Sequence, residues 1–171
     1  IGGWESAVGN TFIGVGRDIH TFTDLAGDSF AAIGTDRKLY IYFDNNFYDV
    51  TPIRVTQSCS LAFTSGDNTV TVTSAAHGAT VGDFVTFSGT TGLSGGNIDN
   101  ADMNAEFEIL STPSTDTFTI DVSGINTPDF TDTATADGAF QINIGADVAV
   151  RGNGWGAGGW NLLTWGTPRP T

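Results

Sequence analysis

His77 is the residue with the most chemical promise in this sequence. With Ser74 and Asp83 it supplies the residue types of a nucleophile, a base and an orienting acid. A working triad needs its serine on a sharp strand-to-helix elbow with the base in reach. Ser74-Ala75-Ala76-His77-Gly78 has the chemistry of a plain turn instead. The expectation is a turn histidine whose ring bonds the backbone. His20, beside Thr21 in a strand-like run, reads as structural as well, and two isolated histidines without acids at ligand spacing make no zinc site. Glu106 and Glu108 stand two apart on a predicted strand and therefore share a face. Glycoside hydrolysis needs two carboxylates across a cleft, whereas like charges side by side suit a solvated sheet edge that discourages pairing.

Two acidic loops, one with Asp99, Asn100 and Asp102, the other with Asp129, Asp132 and Asp137, offer oxygens to a cation. Calcium takes about six to eight oxygens on a tightly turning loop, and no D-x-[DN]-x-[DN]-G run is present. Gly14-x-Gly16 and Gly92-x-x-Gly95 lack the strand-to-helix context and the lysine of a phosphate loop. Cys59 is the one cysteine. It can form no disulfide framework and reads as a small buried hydrophobe in SCSLAF. The residues thus predict no catalytic, cofactor-binding or metal-binding site. Trp155, Trp160 and Trp165 recur every five residues in RGNGWGAGGWNLLTWGT. That is the period of neither a helix nor a strand. It suits a glycine-hinged segment whose indoles anchor in pockets of the first domain or of a neighbouring subunit, where Trp is favoured. The same three indoles, with Asn153 and Asn161, could instead stack on sugars.

The elements that would position these residues are short strands. Glycine is 23 of 171 residues, and Lys plus Arg is only 6. No periodic run of helix formers has useful length, while runs of alternating residues end in Gly, Asp, Asn and Thr. The chain reads as all-β. In KLYIYFDNNFYDVTPIR, Leu39, Ile41 and Phe43 alternate with Lys38, Tyr40, Tyr42 and Asp44. Asp44-Asn45-Asn46 tolerates the left-handed angles of a tight hairpin, and Thr51-Pro52 ends the returning strand. Upstream, Thr11–Val15, Ile19–Phe22 and Ser29–Ile33 read as further strands. Together they make three or four antiparallel strands, the size of one propeller blade or one sandwich layer.

From about Val55 the character changes. The net charge is −13, and its distribution is uneven. All six bases, Arg17, Arg37, Lys38, Arg54, Arg151 and Arg169, lie outside residues 55–150, which hold twelve acids. Such a step in charge marks an inserted domain with its own surface, and it excludes nucleic-acid binding through a basic patch. Strands are expected at Ser60–Thr64, Thr69–Thr73, Phe84–Ser88, Glu106–Leu110, Thr117–Val122 and Phe140–Ile144, with Glu106–Leu110 and Thr117–Val122 forming a hairpin. Residues 90–101 and 123–138 read as loops. The expected organisation is a propeller-type β segment over 1–55, an inserted acidic β-barrel or sandwich over 56–146, and a Gly/Trp-rich return to the first domain over 147–171. No run is long enough to span a membrane. The chain begins without methionine and reads as a piece of a longer polypeptide.

Two segments carry a resemblance. LYIYFDNNFYDVTPIR resembles the signature of tail nozzle or tail-hub proteins of short-tailed bacteriophages, including the packaged-DNA stabilisation type. His77-Gly78, then Gly82-Asp83-Phe84-Val85-Thr86-Phe87, then Phe118-Thr119-Ile120 resemble the small β-barrel of the first catalytic-cysteine half-domain of ubiquitin-activating enzymes. Phage structural proteins often carry that module as an insert. GWGAGGW resembles the return segment after it. The resemblance implies a non-enzymatic virion protein that forms a homo-oligomeric ring, such as a hexamer, around the DNA exit channel. It implies tail partners (adaptor, fibre or needle) and DNA that passes without specific binding. It also casts Trp155, Trp160, Trp165, Tyr48 and Pro52 as packing residues between subunits or domains. The alternative reading is a carbohydrate-binding β-sandwich that uses the three tryptophans.

Overall fold

The structure, a computed structural model, describes residues 11–142. Within them the chain is all-β: eleven strands and no helix. Consequently no helix there is long and apolar enough to cross a membrane. Trp155, Trp160 and Trp165 lie outside the described residues, as do the termini of the first and second expected segments.

The first four strands form an antiparallel meander in chain order: β1 (Gly16–Thr23), β2 (Ser29–Thr35), β3 (Leu39–Phe43) and β4 (Asn46–Asp49). Its turns follow from local chemistry. The Asp24 carboxylate accepts the N–H groups of Ala26 and Asp28, each at 2.9 Å, and closes the β1–β2 turn. The Thr35 hydroxyl accepts from Arg37 and Lys38 at 3.1 and 2.7 Å and closes the next. Asp44 and Asn45 take φ of 47° and 59°, the left-handed pair that a two-residue hairpin loop requires. Thr11–Val15, expected as a strand, makes none. Ile13 N–H donates to the Tyr40 hydroxyl at 3.1 Å, and Phe12 packs edge-on against Phe47. The segment covers the sheet instead of extending it.

The remaining strands form one sheet: β5 (Ile53–Phe63), β6 (Thr69–Thr73), β7 (Phe84–Thr91), β8 (Glu106–Glu108), β9 (Ser111–Ser114), β10 (Thr117–Asp121) and β11 (Asp132–Gln141). Their order is β8-β7-β11-β5-β6-β10-β9. β8 and β9 stand at opposite edges, yet only Ile109 and Leu110 separate them in sequence. So short a link forces the sheet to curl until its edges meet, and the result is a half-barrel. Ile109 and Leu110 also join the edges by hydrogen bonds: Ile109 N–H to Asp83 C=O and Leu110 N–H to Thr119 C=O, each 2.9 Å. Inside lie Leu61, Phe63, Val72, Val85, Phe87, Phe118, Ile120 and Phe140, all buried. Ile98 and Met103, from the loop after β7, are buried in the same core.

Three expectations are corrected here. Residues 123–138, read as a loop, contain most of β11, an interior strand paired with β7 on one side and β5 on the other. Its inward residues are Ala134, Ala136 and Gly138, so the period of two is present but the residues are small and the hydrophobic signal is weak. β5 begins at Ile53 rather than Ser60: Arg54, Thr56 and Ser58 are its outward residues, and polar Gln57 on the inward side obscures the alternation. The hairpin expected between 106–110 and 117–122 is instead β9–β10; β8 pairs with β7.

Gly138 explains why small residues line the middle of β11. A β-carbon there would meet Cys59 Sγ at 2.7 Å, Val85 at 3.2 Å and Phe87 at 3.3 Å. We expect Gly138→Ala to cost about 1–3 kcal/mol through overpacking, read from urea unfolding. Gly124→Ala, where nothing lies within 4 Å, should stay within about 0.5 kcal/mol of the parent. Equal stability of the two variants would contradict this packing.

Candidate assembly surface and its buried joint

The meander presents two different faces. Cross-strand register aligns Phe22 with Phe30, and the side chains continue to Phe43 as a ladder of stacked rings. Phe22 and Phe30 lie 5.4 Å apart at 15°, Phe30 and Phe43 4.5 Å apart at 24°. The next rung holds His20, Ala32, Ile41 and Tyr48, set by the same register. Leu39 lies on this face too, and Val50 continues it, since Val50 N–H donates to Leu39 C=O at 2.9 Å. Phe22, Leu39, Tyr48 and Val50 are all exposed. Rings stacked on one another offer their edges outward, so the face is suited to packing against apolar groups rather than to lying flat under a sugar or base.

The opposite face carries Lys38, Tyr40, Tyr42, Phe47 and Asp49. Phe12 covers Tyr40 and Phe47. The alternation expected of β3 thus acquires a direction: Tyr40 and Lys38 are the buried residues, and Leu39 is the exposed one. β1, at the sheet's edge, is exposed along all eight residues. Ile19 on it is 62% accessible, and Val15 and Leu25 flank it in the open.

Where the meander meets the half-barrel, a lysine is buried. Lys38 Nζ bonds Asp49 Oδ2 of β4 at 2.7 Å and also bonds Glu106 Oε1 of β8. It lies 4.3 Å from the centre of the Phe84 ring on β7. Its side chain is 2% exposed, those of both carboxylates 31%. Glu106 Oε2 accepts from Gln141 Nε2 of β11 at 2.8 Å, so one carboxylate ties two strands of the half-barrel, β8 and β11, to the meander. Burial alone pushes the Lys38 ammonium down. Hydrogen bonds and charge from Asp49 and Glu106 outweigh it and hold the ammonium above its usual 10.5. Burial likewise pushes the Asp49 carboxyl up, but bonds from Lys38 and Thr51 bring it below the usual 3.8.

Two arginines complete the joint. Arg37 lies against Gly82, where φ is +86° and a β-carbon would collide with the guanidinium. Arg54 donates to the His77 carbonyl and sits 6.0 Å from the Phe140 ring centre. Ile142 N–H donates to Pro52 C=O at 2.9 Å. The chain therefore leaves the half-barrel beside the point where it came in.

The other residues singled out by type have structural surroundings. His77 is 1% exposed. Its Nδ1 accepts from Ala79 N–H at 3.1 Å, its Nε2 lies 3.3 Å from Ser114 C=O, and its ring stacks on Phe140. Ser74 Oγ donates to Ser58 C=O at 3.2 Å, and Asp83 accepts from Thr80 N–H at 2.7 Å; neither bonds His77. His20 is exposed on β1, 6.5 Å from the Phe22 ring. The loop acids are bound to backbone: Asp99 closes its own turn by accepting from Ala101 and Asp102, while Asp129 accepts from Asn97, and Asp132 from Ser94 and Thr133, so that these two tie one loop to the other. Backbone bonds from Thr133 and Ser94 hold the Asp132 carboxyl below its usual value. Among the described residues, no group of His, Cys, Asp or Glu is placed to hold a metal. Cys59 is buried, which pushes its thiol up.

Glu106 departs from its expected role. It is the ion partner of Lys38, while Glu108 beside it stays exposed on the strand. Tyr48 stands on the ladder face, 50% exposed, and Pro52 contributes its carbonyl to Ile142. Sequence reasoning missed Lys38 altogether; the available sign was that it shares strand parity with Tyr40 at the boundary of the charge step. No protein-family model matches the chain, and no curated protein or solved structure matches it either.

Removing the lysine leaves two carboxylates facing each other. Because these stay partly hydrated, the loss from Lys38→Met should fall below that of a fully buried pair, at about 2 kcal/mol in urea unfolding at neutral pH. Adding Asp49→Asn and Glu106→Gln should recover most of it. The pH window follows from the shifts. Asp49, depressed when folded, stabilises above the usual 3.8 and loses that contribution as pH falls; Lys38, raised when folded, stabilises below 10.5 and loses it as pH rises. The triple variant should show a flatter Tm across both ends. A parent-like pH profile in that variant would remove the joint's ionic role.

Proposed function

We propose that this chain is a non-enzymatic structural component of a phage virion. In this reading it is a subunit of the ring at a short tail's nozzle or hub. The four-stranded meander has the size and topology of one propeller-type blade, and the acidic half-barrel projects from it as a spacer or docking knob for tail appendages. The observation that carries the reading is β1. An edge strand exposed over its whole length, with Ile19, Phe22, Val15 and Leu25 open around it, is a template for association. A ring uses one surface of each subunit against a different surface of the next. DNA would pass without specific binding, because Arg37, Lys38 and Arg54 are turned into the joint and the half-barrel surface keeps its acids. The tail-protein resemblance in LYIYFDNNFYDVTPIR supplies the virion context.

The test is the mass of the full-length native protein, in solution and in purified particles. A ring-sized oligomer that co-purifies with virions, and that Ile19→Asp reduces to monomer without lowering its Tm, is the expected result. A monomer absent from particles would overturn the proposal.

A further inference from the structure

The ladder face of the meander is apolar, open and on the side away from Phe12 and the Lys38 joint. We propose that its occupant is the chain's own segment 147–171, with Trp155, Trp160 and Trp165 set against Phe22, Phe30, Phe43, Ile41 and Tyr48. The proposal goes beyond the virion role and does not rest on it, since it concerns contacts within one chain.

Chain path is the first argument. Ile142 N–H bonds Pro52 C=O, and Pro52 follows Val50, whose parity puts it on the ladder face beside Leu39. The segment thus sets out from one corner of this face. From Ile142 to Trp155 the chain can span up to about 45 Å when extended. The sheet is only about 14 Å across its four strands, so every rung is within reach. Successive tryptophans, five residues apart, can lie up to about 17 Å from each other, enough for the three indoles to sit on different strands.

Chemistry is the second. The ladder turns ring edges outward, and an indole face against a phenyl edge is a favoured aromatic geometry. Glycines beside each tryptophan allow the close backbone approach that a flat sheet face demands. Residues 143–171 hold Arg151 and Arg169 against one acid, Asp147. The turns at one end of the ladder face hold Asp24, Asp28 and Asp44, so the charges are complementary. The opposite face has no such vacancy near the joint, because Phe12 and the half-barrel already cover Tyr40 and Lys38.

The test uses the full chain with Tyr48 replaced by the photo-crosslinker p-benzoylphenylalanine. Irradiation at high dilution, followed by peptide mass spectrometry, should join position 48 to a peptide containing Trp155, Trp160 or Trp165 of the same chain. Crosslinks between two chains, or to any other segment alone, would overturn the proposal. As a second readout, the Trp4→Phe background leaves only the three segment indoles to report. There Leu39→Asp and Tyr48→Asp, both exposed in the described chain, should raise acrylamide quenching at least about twofold while the far-UV β-sheet signal stays that of the Trp4→Phe parent. Quenching unchanged from the Trp4→Phe parent would equally overturn it. Neither readout depends on ring formation, so a failed ring and a failed segment contact give different results.

Discussion

The Lys38 ammonium, buried between two carboxylates, is the contact on which the architecture depends. A buried charge is tolerated only when it is paired and hydrogen-bonded, and here the two partners come from different sheets. Asp49 reaches it from β4 and Glu106 from β8. The meander's own turns place the lysine: Thr35 fixes the backbone of Lys38, and Asp49 is itself held by accepting from Thr51 N–H at 2.9 Å. Neither sheet can shift against the other without leaving part of this group unpaired. That gives the joint a defined geometry where an apolar contact would slide, although its net contribution to stability is modest.

The same joint accounts for the uneven charge. Arg37, Lys38 and Arg54 precede the acidic module in sequence, and in space all three contact it: Arg37 over Gly82, Lys38 onto Glu106, Arg54 onto the His77 carbonyl. Glycine at 78 and 82 is demanded twice over, by positive φ and by an arginine against its α-carbon. The Gly-Asp-x-Val-x-Phe run is therefore more than a strand opener. Gly82 seats Arg37, Asp83 closes its own turn, and Phe84 lies under Lys38.

Much of the fold was legible because its signals are local. The Asp44-Asn45 hairpin loop is stated by residue type, and Thr69–Thr73, with valines at every second position, appears as a strand with the expected bounds. His77 bonding the backbone followed from its turn context. What stayed hidden depends on partners distant in sequence. The first part of β11 has only small inward residues, and at Gly138 this is because Cys59, Val85 and Phe87 fill the space over it; no window around residue 138 contains that fact. Which side of β3 is buried was hidden for the same reason. Leu39, Ile41 and Phe43 are the more apolar set, but Phe12 and the half-barrel cover Tyr40 and Lys38. Glu106 looked like a solvated acid because its cation is 68 residues away.

The two faces of the meander therefore have different tasks, although both carry aromatic residues. One is committed within the described chain: it holds the lysine joint and fixes how the acidic half-barrel projects. The other is a continuous ladder of rings whose stacking uses their faces and leaves edges and alkyl side chains outward. A surface of that kind gains by excluding water from a broad apolar partner and gains little from a single flat ligand. Between them runs β1, which among the described residues has a strand beside it on one side only, β2. An extended edge and an apolar face next to each other favour an occupant made of polypeptide. With Lys38 buried and Arg37 and Arg54 set against the half-barrel, the outward charge of that module is acidic, which disfavours polyanions on it.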